Sequence, residues 1–102
     1  MKVKYLGEDV ELTFTHGSTY EVAGIDENSY ILWDDDDEPS ECPIGELEVI
    51  EGDKSEVCHF VIDGKDGSHN LIKRGSKENM QRWKEYDNLY HIFRDNSIFD
   101  KI

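Results

Sequence analysis

The chain has few of the features that mark membrane or secreted proteins. No run of about 18 apolar residues occurs in it, so no segment is predicted to span a membrane. Only two cysteines are present, Cys42 and Cys58, which form no C-x-x-C pair and are too few for a disulfide framework. We therefore expect two reduced, buried thiols in a cytoplasmic protein, while a single disulfide between two strands stays open at this stage.

Motifs for catalysis and for cofactor binding are also missing. There is no G-x-x-x-x-G-K-[ST] phosphate loop, no G-x-G-x-x-G fingerprint and no nucleophile elbow. Asp34, Asp36 and Glu38 match positions one, three and five of a calcium loop. Position six is Pro39 rather than Gly, and position twelve is Gly45 rather than Glu, so the match fails. We predict no catalytic residue, no cofactor and no metal site, and hence a non-enzymatic protein.

Positive charge is scarce as well. The chain has 11 Lys and Arg against 24 Asp and Glu, and its formal net charge is −13. Residues 1–56 hold three lysines and seventeen carboxylates, a net charge of −14, whereas residues 57–102 hold eight basic and seven acidic residues, a net charge of +1. Because affinity for phosphate groups needs a basic surface, we do not expect direct binding to nucleic acid.

The carboxylates are densest in one acidic run and in the segment that follows it. We predict that these side chains form a surface that meets a basic surface on a partner protein, because opposite charges steer association. The simpler alternative is that the charge only keeps the domain soluble. The predicted partner-binding residues are Asp34, Asp35, Asp36, Asp37, Glu38, Glu41, Glu46 and Glu48.

The first half of the chain has the pattern of short strands separated by turns. Residues 10–14 alternate between apolar and polar, as a half-buried strand does, and residues 30–33 are a compact β-prone run. Turn signals such as His16-Gly17-Ser18 separate the runs. This spacing favours a small β-barrel over residues 1–52. The other predicted strands are residues 2–6, 19–25, 42–44 and 47–50.

The order of three segments in this half carries a resemblance to a known group. The segments are KVKYLG at the start, then HGSTYEVAGID, then SYILWDDD. They resemble small uncharacterised Src-homology-3-like barrel proteins of Gram-positive bacteria and their phages, over about residues 1–51. The resemblance implies that fold and no particular function. This chain has Cys42-Pro43 where the group carries tyrosine and a proline pair, so no aromatic groove for proline-rich peptides is expected.

The second half has a different organisation. A β-hairpin is predicted over residues 57–74, with its turn at 63–68, and a helix over residues 76–95 with Ser76 as N-cap. One face of this helix is aromatic and apolar, and such a face more often packs on a sheet than binds a partner. The face consists of Trp83, Tyr86, Leu89, Tyr90 and Phe93, and the apolar residues Ile98, Phe99 and Ile102 are expected to fold back on the domain.

Together these patterns predict one α+β domain: a small Src-homology-3-like β-barrel, a β-hairpin and a C-terminal amphipathic helix. The leading functional hypothesis is a protein-binding module, in its concrete form a phage-type inhibitor that imitates nucleic-acid charge and binds a basic host protein. One alternative is an immunity protein against a basic toxin such as a nuclease. Another is a structural or accessory domain whose charge only serves solubility. The oligomeric state is left open.

Overall fold

The computed structural model of the chain describes residues 1–26, 29–62 and 69–90, which form a β-rich domain with one long helix. Most strand pairs are antiparallel, and the helix follows the last strand. The predicted α+β class is therefore confirmed. The elements are β1 (Lys2–Tyr5), β2 (Thr19–Ile25), β3 (Ser29–Trp33), β4 (Pro39–Pro43), β5 (Leu47–Glu51), β6 (Cys58–Ile62), β7 (His69–Lys73) and α1 (Lys77–Tyr90).

β2 is the strand on which the sheet is built. The strands of the first half follow the order β4-β3-β2-β1-β5, and the β6–β7 hairpin joins this path through a short parallel pair with β2. β1 pairs with the first part of β2, for example Val3 with Tyr20, and β6 pairs with its last part, Gly24 with Cys58. One sheet therefore connects both halves of the chain.

β3 buries side chains on both faces, which explains why the run is so apolar. Successive side chains of a strand point to opposite faces. Tyr30 and Leu32 belong to a first core, with residues of β1, β2 and β4. Ile31 and Trp33 belong to a second core on the other face, with residues of β6 and α1. The sheet thus lies between two apolar clusters, one of which is covered by the helix.

A bulge in β2 keeps that strand in phase with both cores. Ala23 is an extra residue between Val22 and Gly24, where the register with β3 shifts. Ile25 therefore points into the same core as Val22, although the two are three residues apart. Gly24 faces Phe60 of β6, and a Cβ there would lie 2.6 Å from the ring, so the close contact of β2 and β6 needs glycine.

The helix begins and packs as its sequence predicts. The Ser76 hydroxyl accepts a hydrogen bond from the Asn79 N–H at 3.2 Å, which confirms the N-cap. Trp83 is buried and Tyr86 is packed against the second core. The Trp83 indole N–H donates to the Ala23 carbonyl at 2.7 Å. The described part of the aromatic face therefore covers the sheet, as expected.

The predicted strand at residues 10–14 is wrong. Val10 and Phe14 form an isolated bridge, and the chain reverses between them because the N–H groups of Thr13 and Phe14 both bond to the Val10 carbonyl. Leu12 has a φ of 61° and its side chain is 73% exposed, whereas Phe14 is buried. The Asp35 N–H holds this turn by bonding to the Thr13 carbonyl at 2.9 Å. Alternating apolar residues thus mark a tight reversal here.

Some predictions fall outside the described residues. They are the hairpin turn at 63–68, the last part of the predicted helix at 91–95, Phe93, the apolar residues Ile98, Phe99 and Ile102, and the side-chain packing of Leu89 and Tyr90. The hairpin itself is confirmed, because β6 and β7 pair antiparallel. Among the helices that the structure describes, none is long and apolar enough to cross a membrane.

Candidate protein-interaction surface

The acidic run forms the tight connection between β3 and β4, and its first residue points inward. Asp34 is 8% exposed, and its Oδ1 accepts hydrogen bonds from the N–H groups of Asp36 at 2.9 Å and Glu38 at 3.0 Å. Its Oδ2 accepts the Ser40 hydroxyl. A carboxylate that bonds the backbone two residues ahead is a standard way to close a turn. Asp34 is therefore part of the scaffold, and we leave it out of the interaction surface.

The next four residues present their carboxylates at the tip of this connection, and we call them the acidic turn. Asp35, Asp36 and Asp37 are exposed, and Glu38 is half-buried. The two carboxylate oxygens of Asp35 accept hydrogen bonds from the hydroxyls of Tyr20 and Thr15, each at 2.8 Å. The acidic turn is thus held in place by β2 and by the loop before it.

Arg82 of the helix lies against one side of the acidic turn. Its guanidinium is 2.7 Å from Asp37 Oδ1 and 3.6 Å from Glu21 Oε2, and it lies 4.5 Å from the centre of the Trp33 ring. The side chains of Arg82, Asp37 and Glu21 are partly or largely exposed, so the ion pairs add little stability. Their effect is to orient Asp37 and to compensate part of the charge on this side.

The other predicted site residues lie progressively farther from the acidic turn. Glu41 is exposed in the middle of β4, Glu46 ends the short 3-10 turn Ile44–Glu46, and Glu48 is exposed on β5. β4 has five residues, and a strand rises by about 3.3 Å per residue. The acidic turn and the pair formed by Glu46 and Glu48 are therefore separated by the length of β4. The predicted residues form two groups, with Glu41 between them.

The second group includes residues that the sequence did not single out. We call it the β5 edge: the strand Leu47–Glu51 together with Glu46. Glu51 is exposed like Glu48, and Val49 and Ile50 are about half exposed. The mixture of apolar residues and glutamates in this segment is visible in the sequence. What placed these residues at an edge is the sheet order, which the sequence does not show.

The two cysteines are free and lie in different cores. Burial raises the pKa of the Cys42 thiol from 9.0 to about 11, and the nearby Glu46 carboxylate adds to this shift. Burial also raises the pKa of the Cys58 thiol, whose Sγ contacts Met80 Sδ at 3.2 Å. Both thiols therefore stay protonated near neutral pH and behave as small apolar side chains.

The Cys42 thiol predicts a loss of stability at alkaline pH. The unfolded chain loses this proton near pH 9.0 and the folded chain only near pH 11, so the free energy of unfolding should fall as pH rises between these values. Urea unfolding across this interval, compared with Cys42→Ala, measures the effect. Burial also raises the pKa of Tyr5 and Tyr20, but they contribute to both proteins. Equal slopes in the two proteins would contradict the prediction.

Metal binding finds no support in the geometry of the described residues. In residues 1–26, 29–62 and 69–90, no group of three or more His, Cys, Asp or Glu side chains is placed to hold a metal ion. The oxygens of Asp34, the first position of the partial calcium-loop pattern, accept hydrogen bonds from the turn itself.

What the surface offers is therefore exposed carboxylate groups on a well-packed scaffold, together with one sheet edge that carries both acidic and apolar side chains. Such a surface can attract cations and basic macromolecules. A comparison of the chain with protein-family models, with curated proteins and with solved structures gives no match in any of the three.

Proposed function

We propose that this chain is a small non-enzymatic module that binds a partner protein carrying a basic surface. The observation that supports the proposal best is the exposure of the predicted carboxylates: all except Asp34 lie at the surface or are half-buried. Exposed charge of one sign, on a chain with a net charge of −13, speeds association with an oppositely charged surface and disfavours acidic partners.

Within this proposal, the first half of the chain is a Src-homology-3-like barrel. The strand order β4-β3-β2-β1-β5, the long bulged β2 and the 3-10 turn between β4 and β5 support this assignment. The site of action is the cytoplasm, where free thiols such as Cys42 and Cys58 stay reduced.

The form of the proposal that we favour is inhibition by imitation of nucleic-acid charge. The acidic turn and the β5 edge lie at opposite ends of the five-residue β4. Phosphates along one DNA strand rise by about 3.4 Å per nucleotide, so carboxylates spread over this length match a few successive phosphates. The target is then a basic channel or groove that normally holds nucleic acid. An immunity protein against a basic toxin would use the same surface and differ only in its partner.

Two charge-matched variants test the proposal. The first replaces Asp36 and Asp37 with Asn and Glu38 with Gln, and it keeps Asp34 and Asp35 because these hold the turn. The second removes the same amount of charge elsewhere on the surface, by Gln at Glu8, Glu78 and Glu85. Tagged protein is used to capture partners from a bacterial lysate, and the bound proteins are eluted with rising salt and identified by mass spectrometry.

We expect to capture a basic partner that elutes as the salt concentration rises. At low salt, the affinity of the first variant for this partner should be lower than that of the original chain by a factor of about ten or more. The second variant should bind like the original chain apart from a smaller, general charge effect. Equal loss in both variants would mean that only net charge matters. No salt-sensitive partner, or full binding by the first variant, would contradict the proposal and favour a charge that only serves solubility.

A further inference from the structure

β5 is an end strand of the sheet, and it is built differently from the strand at the other end of the path. In the part of the chain that the structure describes, β5 pairs only with β1, and β4 pairs only with β3. β4 carries Pro39 and Pro43 at its two ends, and proline blunts a strand edge because it lacks an N–H donor. β5 has no proline. Of these two edges, β5 is the one whose backbone can accept another strand.

The register identifies the backbone groups that point away from β1. The Leu6 N–H donates to the Glu46 carbonyl at 2.8 Å, so these two residues form a hydrogen-bonded pair. Hydrogen-bonded and non-hydrogen-bonded pairs alternate along an antiparallel ladder. Glu48 therefore turns its N–H and C=O toward β1, whereas Leu47 and Val49 turn theirs away from it. The Leu47 N–H is bonded to the Ile44 carbonyl of the 3-10 turn, so the groups left for another strand are the Leu47 C=O and the N–H and C=O of Val49. Backbone groups of this kind at a sheet edge are what an added strand uses.

The side chains of this edge leave apolar surface uncovered. Val3 and Val49 are cross-strand partners and share one face of the sheet. Val3 is 0% exposed because strands lie on both sides of it, whereas Val49 is 49% exposed at the end of the sheet. Ile50, at the register shift, is 48% exposed. A strand added beyond β5 would cover Val49 as β5 covers Val3.

Charge indicates what kind of strand fits. Glu48 and Glu51 lie across from Lys4 and Lys2 of β1. On its inner side, β5 therefore pairs with a strand in which lysines alternate with a core-facing valine. The outer side of β5 offers the same glutamates and the same apolar row. Pairing of β5 with a second copy of itself would bring glutamates together, and like charges across strands are unfavourable.

We propose that the basic partner docks on the outer edge of β5 by adding a β-strand whose side chains alternate between basic and apolar. This inference rests on the proposed function and specifies how the partner is held. Backbone hydrogen bonds to the Leu47 carbonyl and to the N–H and C=O of Val49 fix the register, the apolar side chains cover Val49, and the basic side chains meet Glu48 and Glu51. The acidic turn, at the far end of β4, steers the partner without forming part of this strand pair.

The test uses a synthetic heptapeptide in which Lys and Val alternate, with Lys at both ends. Its controls are the same peptide with N-methyl groups on the valines, whose N–H groups face β5 when the strands pair antiparallel, and a peptide with Glu in place of Lys. Amide resonances of the intact chain are followed by NMR as each peptide is added at up to millimolar concentration. Hydrogen exchange of the Val49 amide is measured in the same samples.

With the basic peptide, we expect shifts centred on Leu47 and Val49 and slower exchange of the Val49 amide. We also expect about tenfold weaker binding of the N-methylated peptide, and no detectable binding of the acidic one. Val49→Pro removes an outward N–H that β1 does not use, and it should weaken binding of the basic peptide about tenfold. If that variant does not fold, the comparison of the two Lys-containing peptides still decides the question.

The outcomes separate this inference from the proposed function. Shifts at residues 35–38, or equal binding of the N-methylated peptide, would overturn docking at β5 while leaving an acidic interaction surface intact. Absence of any binding by the basic peptide would also overturn docking at β5. Whether the proposed function then fails is decided separately by the capture experiment with the two charge-matched variants.

Discussion

Replacing Trp83 with alanine is expected to lower the free energy of unfolding by about 4 kcal/mol. The side chain is 2% exposed, and its ring centre lies 5.0 Å from that of Trp33 and 5.4 Å from that of Phe60. The substitution opens a cavity between helix and sheet and leaves the Ala23 carbonyl without its hydrogen bond from the indole. Urea unfolding followed by circular dichroism measures the loss.

Two further variants identify the origin of this loss of stability. Trp83→Phe keeps an aromatic ring but removes the N–H donor, so we expect a loss of about 1 to 2 kcal/mol. Lys84→Ala, one position along the helix and outside the buried face, should change stability by less than about 0.5 kcal/mol. If Trp83→Ala cost no more than Lys84→Ala, the helix would not be packed on the sheet as described.

The second large effect is expected at Gly75, between β7 and the helix. A Cβ at this position would lie 2.6 Å from the Glu56 carbonyl oxygen, 2.6 Å from the Val57 carbonyl carbon and 2.8 Å from the Cys58 nitrogen. All three are backbone atoms, so no side-chain rotation relieves the clash. We expect Gly75→Ala to destabilise the fold by about 3 kcal/mol, as strongly overpacked sites do, and urea unfolding again measures it.

Gly45 provides the matched control for this substitution. A Cβ at Gly45 would meet no atom within 4 Å, so Gly45→Ala should leave stability within about 0.5 kcal/mol of the original chain. Both substitutions add one methyl group and remove the same backbone freedom from the unfolded state. Equal stability of the two variants would show that the chain before the helix does not lie against residues 56–58.

Much of the fold could be predicted because local signals and burial agree. The run at 30–33 is apolar throughout because β3 faces two cores, and Ser76 precedes the helix because its hydroxyl accepts the Asn79 N–H. The prediction of a strand at residues 10–14 was wrong for a different reason. Alternation alone does not separate a strand from a tight reversal, and the positive φ of Leu12 is held by a contact between Thr13 and Asp35.

The pairing of β2 with β6 had no signal in the sequence. Parallel pairing depends on which distant segments meet, and neither strand has a sequence pattern that indicates which strand it pairs with. The same limit applies to the β5 edge, because strand order decides that Val49 is half exposed while Val3 is buried.

The acidic surface could be predicted in composition but not in layout. Exposure of Asp35, Asp36 and Asp37 follows from their charge, and the structure agrees. The inward turn of Asp34 was signalled by its place at the end of an apolar strand, where a carboxylate commonly closes a turn. That the acidic turn and the β5 edge are separated follows from β4 lying between them, which only the strand bounds reveal.

The two-sided burial of β3 has a practical consequence for anyone who wishes to shorten the chain. The segment at 52–56 looks like a natural place to cut, since it links two halves of different charge and pattern. A fragment that ends there would leave Ile31 and Trp33 facing water on a sheet stripped of its cover. Large exposed apolar patches promote aggregation, so such a fragment would be a poor reagent despite its high charge. A minimal version of this protein has to retain the hairpin and the helix as well as the strands before them.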